Sequence, residues 1–150
     1  MRLVIQRVSR ASVTTRGVLK SEIGKGMMIL LGVEDADSQE DVEWLCQKVT
    51  KLRIFEDENE AMNLDINQIG GEFLVVSQFT LHAMTKKGNR PSFIRAARPE
   101  HAIPLYESFL KRLAEISGLP VRCGEFGADM QVELINDGPV TILIDSQNKE

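Results

Sequence analysis

The stretch Ala128-Asp129-Met130-Gln131-Val132-Glu133-Leu134 alternates apolar and polar residues without a break. A period of two is the pattern of a half-buried strand, because successive side chains point to opposite faces. Downstream, Asn136-Asp137-Gly138-Pro139 reads as a turn, Val140–Ile144 as a last strand, and 146–150 as a polar tail expected to fray. Upstream, Arg2–Ser9 and Ala11–Thr15 are rich in Val, Ile, Thr and Leu, and Gly17, Gly24 and Gly26 punctuate an expected hairpin after them. Met27–Val33 and Phe73–Val76 are continuous apolar runs, as in strands buried on both faces. Arg53-Ile54-Phe55 reads as a short strand followed by a polar connection over 56–71.

Two segments carry the helical period instead. Ser38, with Asp41 three residues on, resembles a capping box. Val42, Leu45, Cys46, Val49 and Leu52 then recur at helical spacing, which places Cys46 in the core. Leu105, Phe109, Leu113 and Ile116 form a second apolar stripe that stops at Gly118, and Pro104 predicts a start or kink there. Many strands with two helices predict a mixed α/β fold, with β-sheets and two helices packed on one face in an α/β/β layering. A length of 150 residues fits one domain, expected over 1–145 with 146–150 as a tail.

Composition removes several classes. With 43% hydrophobic and 27% charged residues, global disorder is excluded. No apolar run reaches the roughly 18 residues of a membrane span. Leu3-Val4-Ile5 is too short for a signal-peptide core, so the cytoplasm is the expected location. Two cysteines, Cys46 and Cys123, make no disulfide framework, and two histidines, His82 and His101, argue against a multi-histidine metal site. The net charge is −4, yet its distribution is uneven. Residues 34–60 hold ten acids against Lys48, Lys51 and Arg53, whereas 82–101 holds Lys86, Lys87, Arg90, Arg95 and Arg98 against Glu100. That basic segment, containing Gly88, Pro91 and Pro99, reads as a long loop able to hold a few phosphates.

No nucleophile elbow, zinc-protease motif, P-loop or dinucleotide fingerprint is present. Ser77 and Thr80 are hydroxyls at a strand end, and each needs a base to act as a nucleophile. His82 shares the face of Thr80 if the strand continues. The residues alone therefore stop at an α/β domain with a candidate polyanion contact over 82–101.

Three motifs together carry a resemblance. Ser77-Gln78-Phe79-Thr80-Leu81, Arg90-Pro91-Ser92-Phe93 and Asn136-Asp137-Gly138-Pro139-Val140-Thr141 resemble the bacterial D-aminoacyl-tRNA deacylase family. Gln6-Arg7-Val8, Arg10-Ala11-Ser12-Val13, Met62-Asn63-Leu64 and Ala128-Asp129-Met130-Gln131-Val132 extend the likeness from residue 1 to about 144. The resemblance implies hydrolysis of the ester linking D-amino acids, and also glycine, to tRNA, by a homodimer with active sites at its interface. It assigns Ser77, Gln78, Phe79 and Thr80 to one subunit's site. Gly138 and Pro139, joined by a cis bond, would reach in from the other subunit to exclude L-side chains, with Arg7 behind them. Backbone N–H groups of Phe79 and Thr80 would hold the developing oxyanion, and Thr80 is either a nucleophile or a group that positions the ester. Lys86, Lys87 and Arg90 become candidates for tRNA phosphates. No metal, organic cofactor, membrane or DNA partner is implied. A non-catalytic RNA-binding module and a simple serine esterase are the competing classes.

Overall fold

The computed structural model describes residues 1–150. Its strands are β1 (Arg2–Thr15), β2 (Val18–Ile23), β3 (Gly26–Gly32), β4 (Phe55–Glu56), β5 (Met62–Leu64), β6 (Glu72–Ser77), β7 (Val121–Cys123) and β8 (Met130–Asp145). Its helices are α1 (Gln39–Thr50) and α2 (Pro99–Ser117). The principal sheet runs β2-β1-β3-β6-β7, with β8 along the other side of β1. β3, β6 and β7 are mutually parallel, and the other pairings are antiparallel. A parallel pair needs a crossover. α1 lies in the connection between β3 and β6, and α2 in that between β6 and β7. Two successive crossovers of one hand in one direction put both helices on the same face.

That face holds the main core: Leu3 and Ile5, Met27, Ile29 and Leu31, Phe73 and Val75 meet Leu45, Val49, Phe109 and Leu113 of the helices. The opposite side chains of β3 and β6, Met28, Leu74 and Val76, form a second core with Val8, Val13 and Ile23, packed against Met130, Val132 and Leu134. The far halves of β1 and β8, with β2, thus fold over the sheet's second face. Register shifts in the β1–β8 ladder between residues 6 and 10 of β1 let the long strands bend there. The result is the α/β/β layering read from the sequence.

Local expectations fared unevenly. The capping box is present, Ser38 Oγ accepting from Glu40 N and Asp41 Oδ2 from Ser38 N at 2.8 Å. The expected Arg53–Phe55 strand is the two-residue β4, paired with β5 inside the stretch read as a polar connection. α2 starts at Pro99, ahead of Pro104, because Pro99 occupies the first turn where its missing N–H costs nothing. The tail is not frayed at its start: Ser146 is buried, and its N–H donates to Met1 O at 2.9 Å. Gln147 Nε2 reaches Asp37 and Asp41. Lastly, Asn136–Pro139 does not reverse the chain. β8 continues through it, and both halves pair with β1.

Candidate active site

The carboxyl ends of β3, β6 and β7 lie together, the place where open parallel sheets hold ligands. β6 stops at Ser77. Gln78 N makes a last ladder-like bond to Leu31 O at 2.8 Å, and the backbone then curls into a 3-10 turn over Phe79–His82. Leu81 N donates to Gln78 O and Ala83 N to Thr80 O. The strand therefore does not continue to His82: Ser77 is its last residue, and Phe79–His82 belong to the turn. The N–H groups of Phe79 and Thr80, the first two of that turn, donate to no other group of the chain. Gln78 Nε2 donates to Thr80 Oγ1. Phe79 is 57% exposed and meets Phe93 edge-on, with ring centroids 5.1 Å apart.

The turn overturns the placement of His82 beside Thr80. The imidazole is fully buried beneath the turn, against Gly32, where an added Cβ would lie 2.9 Å from Nε2. Nδ1 lies 3.3 Å from Glu34 Oε1, and neither ring nitrogen makes a hydrogen bond. His82 is thus no base for Thr80, and no other carboxylate or imidazole bonds the Thr80 hydroxyl.

Behind the turn is a cavity of about 260 Å³, lined by Ser77, Gln78 and Phe79 and by apolar groups that include Leu31, Phe126 and Met130. The sequence placed Met130 and Val132 on an inward face but gave no sign that this face closes over the Ser77–Phe79 segment. Phe126 carried no periodic signal at all. No residue of 136–140 lines the cavity.

Gly138 and Pro139 lie in a bulge of the longest ladder. Gln6 pairs with Thr141 and Val8 with Asn136, so residues 137–140 stand opposite Arg7 alone. Four residues facing one must arch out of the sheet, and Asp137, Gly138 and Pro139 are exposed. Arg7 supports the arch from beneath. Its side chain is 5% exposed; Nε donates to Asp137 O and Nη1 to Ile54 O, both at 2.8 Å, while Glu56 lies 3.5 Å from Nη2. Asn136 Oδ1 accepts from Val140 N at 2.8 Å across the arch. The Gly138–Pro139 peptide is cis, and Gly138 has φ +136°, where an added Cβ would meet Arg7 Nη2 at 2.9 Å.

Lys86, Lys87 and Arg90 are exposed and form no ion pair. The structure does not bring them to the cavity wall. Arg95 differs, since its guanidinium sits on buried Glu34. Cys46 is buried in α1, and burial pushes its thiol up to about 12, so it is inert as a nucleophile at neutral pH. Burial likewise raises the Tyr106 phenol, whose hydroxyl donates to Val75 O at 3.1 Å. No group of three or more His, Cys, Asp or Glu side chains is placed to hold a metal ion, and no helix is long and apolar enough to cross a membrane.

Comparison with known proteins bears on this arrangement. Residues 4–145 match the family described as D-Tyr-tRNA(Tyr) deacylase. Proteins named D-aminoacyl-tRNA deacylase from Parabacteroides distasonis and Bacteroides fragilis are 61% and 65% identical over 150 residues, covering the whole of both chains. A solved structure described as c-Myc DNA Unwinding Element Binding Protein superposes with a TM-score of 0.91 at 43% identity, covering 97% of this chain and 98% of that one. A probable eukaryotic D-amino acid tRNA deacylase, 17% identical, shares the fold with a TM-score of 0.80 over 95% of this chain and 97% of its own.

Proposed function

The chain belongs to the D-Tyr-tRNA(Tyr) deacylase family, and from that premise we propose that it cleaves D-aminoacyl-tRNA at a site completed by a second copy of itself. The reaction is hydrolysis of the carboxylic ester between a D-amino acid and tRNA, giving the free amino acid and free tRNA. One observation carries the two-copy reading: the cavity walled by Ser77–Phe79 has no contact with residues 136–140, although the Gly138–Pro139 arch is exposed and held rigid. A rigid arch that serves nothing in its own chain fits a twofold assembly, in which each copy gives its arch to the other's cavity. β8 adds support. It is a 16-residue strand at a sheet edge with Ile135 and Leu143 exposed, and long apolar edges are normally covered.

In this reading the terminal adenosine enters the cavity behind Phe79, and the ester carbonyl lies over the turn. The free N–H groups of Phe79 and Thr80 receive the oxyanion as water attacks. Thr80, held by Gln78 and without a base, positions the ester. The ribose 2′-hydroxyl helps to activate the water, which restricts the reaction to RNA. Carbonyl groups of the arch exclude an L-side chain by collision, a way to discriminate that needs no pocket for the D-side chain. Glycine offers nothing to collide with, so glycyl-tRNA is also a substrate. Lys86, Lys87 and Arg90 meet phosphates near the acceptor end.

The test is deacylation of matched D- and L-tyrosyl-tRNA, with glycyl-tRNA alongside. Turnover of the D-form and of glycyl-tRNA, with the L-form spared, is expected; equal rates on D and L would overturn the exclusion reading. A mixing experiment tests the shared site. Gly138→Val and Phe79→Pro, which deletes one of the two oxyanion-donor N–H groups, should each be nearly inactive alone. Together they should recover about a quarter of the normal activity, because half the dimers are mixed and each keeps one intact site. No recovery after verified subunit exchange would put the arch and the cavity in separate roles.

A further inference from the structure

The 3-10 turn that carries Phe79 and Thr80 is gripped at both ends by the basic loop. At its first residue, Phe93 packs edge-on against Phe79. At its last residue, the link is polar. His82 is fully buried and its Nδ1 faces Glu34 Oε1 at 3.3 Å, while Arg95 Nη2 approaches the same oxygen to 2.5 Å. Glu34 is itself fixed, its N–H donating to Asp37 Oδ2 at 2.7 Å and its backbone bridging to Ala96, the residue after Arg95. Gly32 admits the imidazole, since any side chain there would collide with it. Few buried polar side chains lack a hydrogen-bond partner, and each one calls for an explanation. Here both nitrogens of His82 are without one, beside a carboxylate nearly removed from water.

We propose that His82, Glu34 and Arg95 form a positioning network through which the tRNA-binding loop sets the aim of the Phe79 and Thr80 N–H groups. His82 is a positioning residue in this network: it touches no reacting atom and acts through the turn it terminates. Arg95 follows Phe93 by two residues on the loop that also holds Lys86, Lys87 and Arg90. Arg95 sits on Glu34, so the position of the loop is passed to that carboxylate. Glu34 Oε1 in turn faces the ring of His82, the last residue of the turn. Oxyanion donors tolerate little misalignment, so slackness at His82 costs turnover and leaves substrate binding intact. This inference rests on the deacylase reading above.

The experiment is steady-state deacylation of one D-aminoacyl-tRNA by the full-length protein and by Arg95→Met, Arg95→Lys, Glu34→Gln, His82→Gln and the Arg95→Met, His82→Gln double variant. Melting temperatures are recorded for each. Arg95→Met, Glu34→Gln and His82→Gln should each lose about tenfold in kcat, a small misplacement being enough for that, with KM held. Arg95→Lys should recover most of the loss, and the double variant should be no worse than His82→Gln alone, as residues acting through one path are non-additive. Losses that multiply in the double variant, an unchanged kcat, or no gain of Lys over Met would each overturn the network. So would a raised KM with kcat held, which would make Arg95 a direct phosphate contact. Arg95 is half exposed, so its variants fold even if Glu34→Gln does not. Inactivity of the unmodified protein on every D-aminoacyl-tRNA would instead strike the deacylase reading itself, so the two failures are told apart.

Discussion

Replacing Arg7 by Met is the perturbation that most directly tests how the arch is held. Met keeps the apolar stem and the volume near β1 while deleting the guanidinium. Two bonds from a charged donor are lost, to Asp137 O and to Ile54 O, each 2.8 Å long. Bonds to charged groups are worth about 1.5–3 kcal/mol each, which sets a gross loss of about 3–6 kcal/mol. The ion pairs add little, because the Glu56 and Asp137 side chains are 53% and 49% exposed and return to water. The arch carbonyl also lies near solvent, so the low end applies, about 3 kcal/mol. For a chain of this length that lowers Tm by about 6–12 °C. Arg7→Lys should recover part of it at best, since one ammonium cannot reproduce a planar fork reaching two carbonyls in different directions. The assay pairs urea denaturation with rates on D- and L-tyrosyl-tRNA. The stability loss should be accompanied by a slower D-reaction and a weaker preference for D, because the arch no longer keeps its shape. A variant within about 1 kcal/mol of the parent, with its D-preference unchanged, would refute the idea that Arg7 holds the arch.

Three further outcomes follow from the same geometry. Thr80→Ala should stay within about tenfold of the parent in kcat, since the backbone donors remain; a loss of several thousand-fold with a trapped aminoacyl-enzyme would make Thr80 a nucleophile. Lys86→Ala combined with Lys87→Ala should weaken tRNA binding and lower its salt dependence by about 0.7–0.9 per lost contact, and an unchanged slope would place the phosphates elsewhere. The Arg112 guanidinium, with help from Gln47, holds the Glu43 carboxyl at about 2 against an ordinary 4.5. A carboxyl held low stabilises the fold above its ordinary value and loses that contribution as pH falls toward its folded value. The stability gap between the parent and Arg112→Met should therefore be full at neutral pH and close between about 4.5 and about 2, as urea titrations at stepped pH would show; a gap that persists at the acid end would contradict the pairing.

The layers were legible because burial writes itself into periodicity. Continuous apolar residues at 27–33 and 73–76, alternation at 128–134 and the stripe from Val42 to Val49 each have a physical period that survives folding. What escaped were places where the same composition serves two geometries. Asn136-Asp137-Gly138-Pro139 has the chemistry of a turn, and whether it reverses the chain depends on β1, which pairs with the residues on both sides of it. Ser77–His82 keeps strand-like residues, yet Gln78 N finds Leu31 O and the backbone curls away after it. His82 moved from beside Thr80 to beneath the turn for that reason. Its partners Glu34 and Arg95 stand 48 and 13 residues away, a separation no local pattern reports.

Charge also acquires a different meaning once the ion pairs are known. The chain carries −4 overall and +4 over 82–101, so the rest of it carries −8. A polyanion is repelled by most of such a surface and admitted along one segment. Arg95 within that segment is occupied by Glu34, which leaves Lys86, Lys87, Arg90 and Arg98 exposed and without an ion pair. Even four phosphate contacts would give a salt slope of only about 3–4 in logarithmic terms, modest beside the six to ten contacts of a tight binder. On the proposed reading, affinity from the loop is therefore weak, and the turn supplies aim through backbone groups that carry no net charge. An enzyme built this way gains little from holding tRNA in the ground state, so the interactions that strengthen as the oxyanion forms decide its rate. Substitutions in the loop's exposed cations should consequently appear in KM, and those in the turn and its buried supports in kcat.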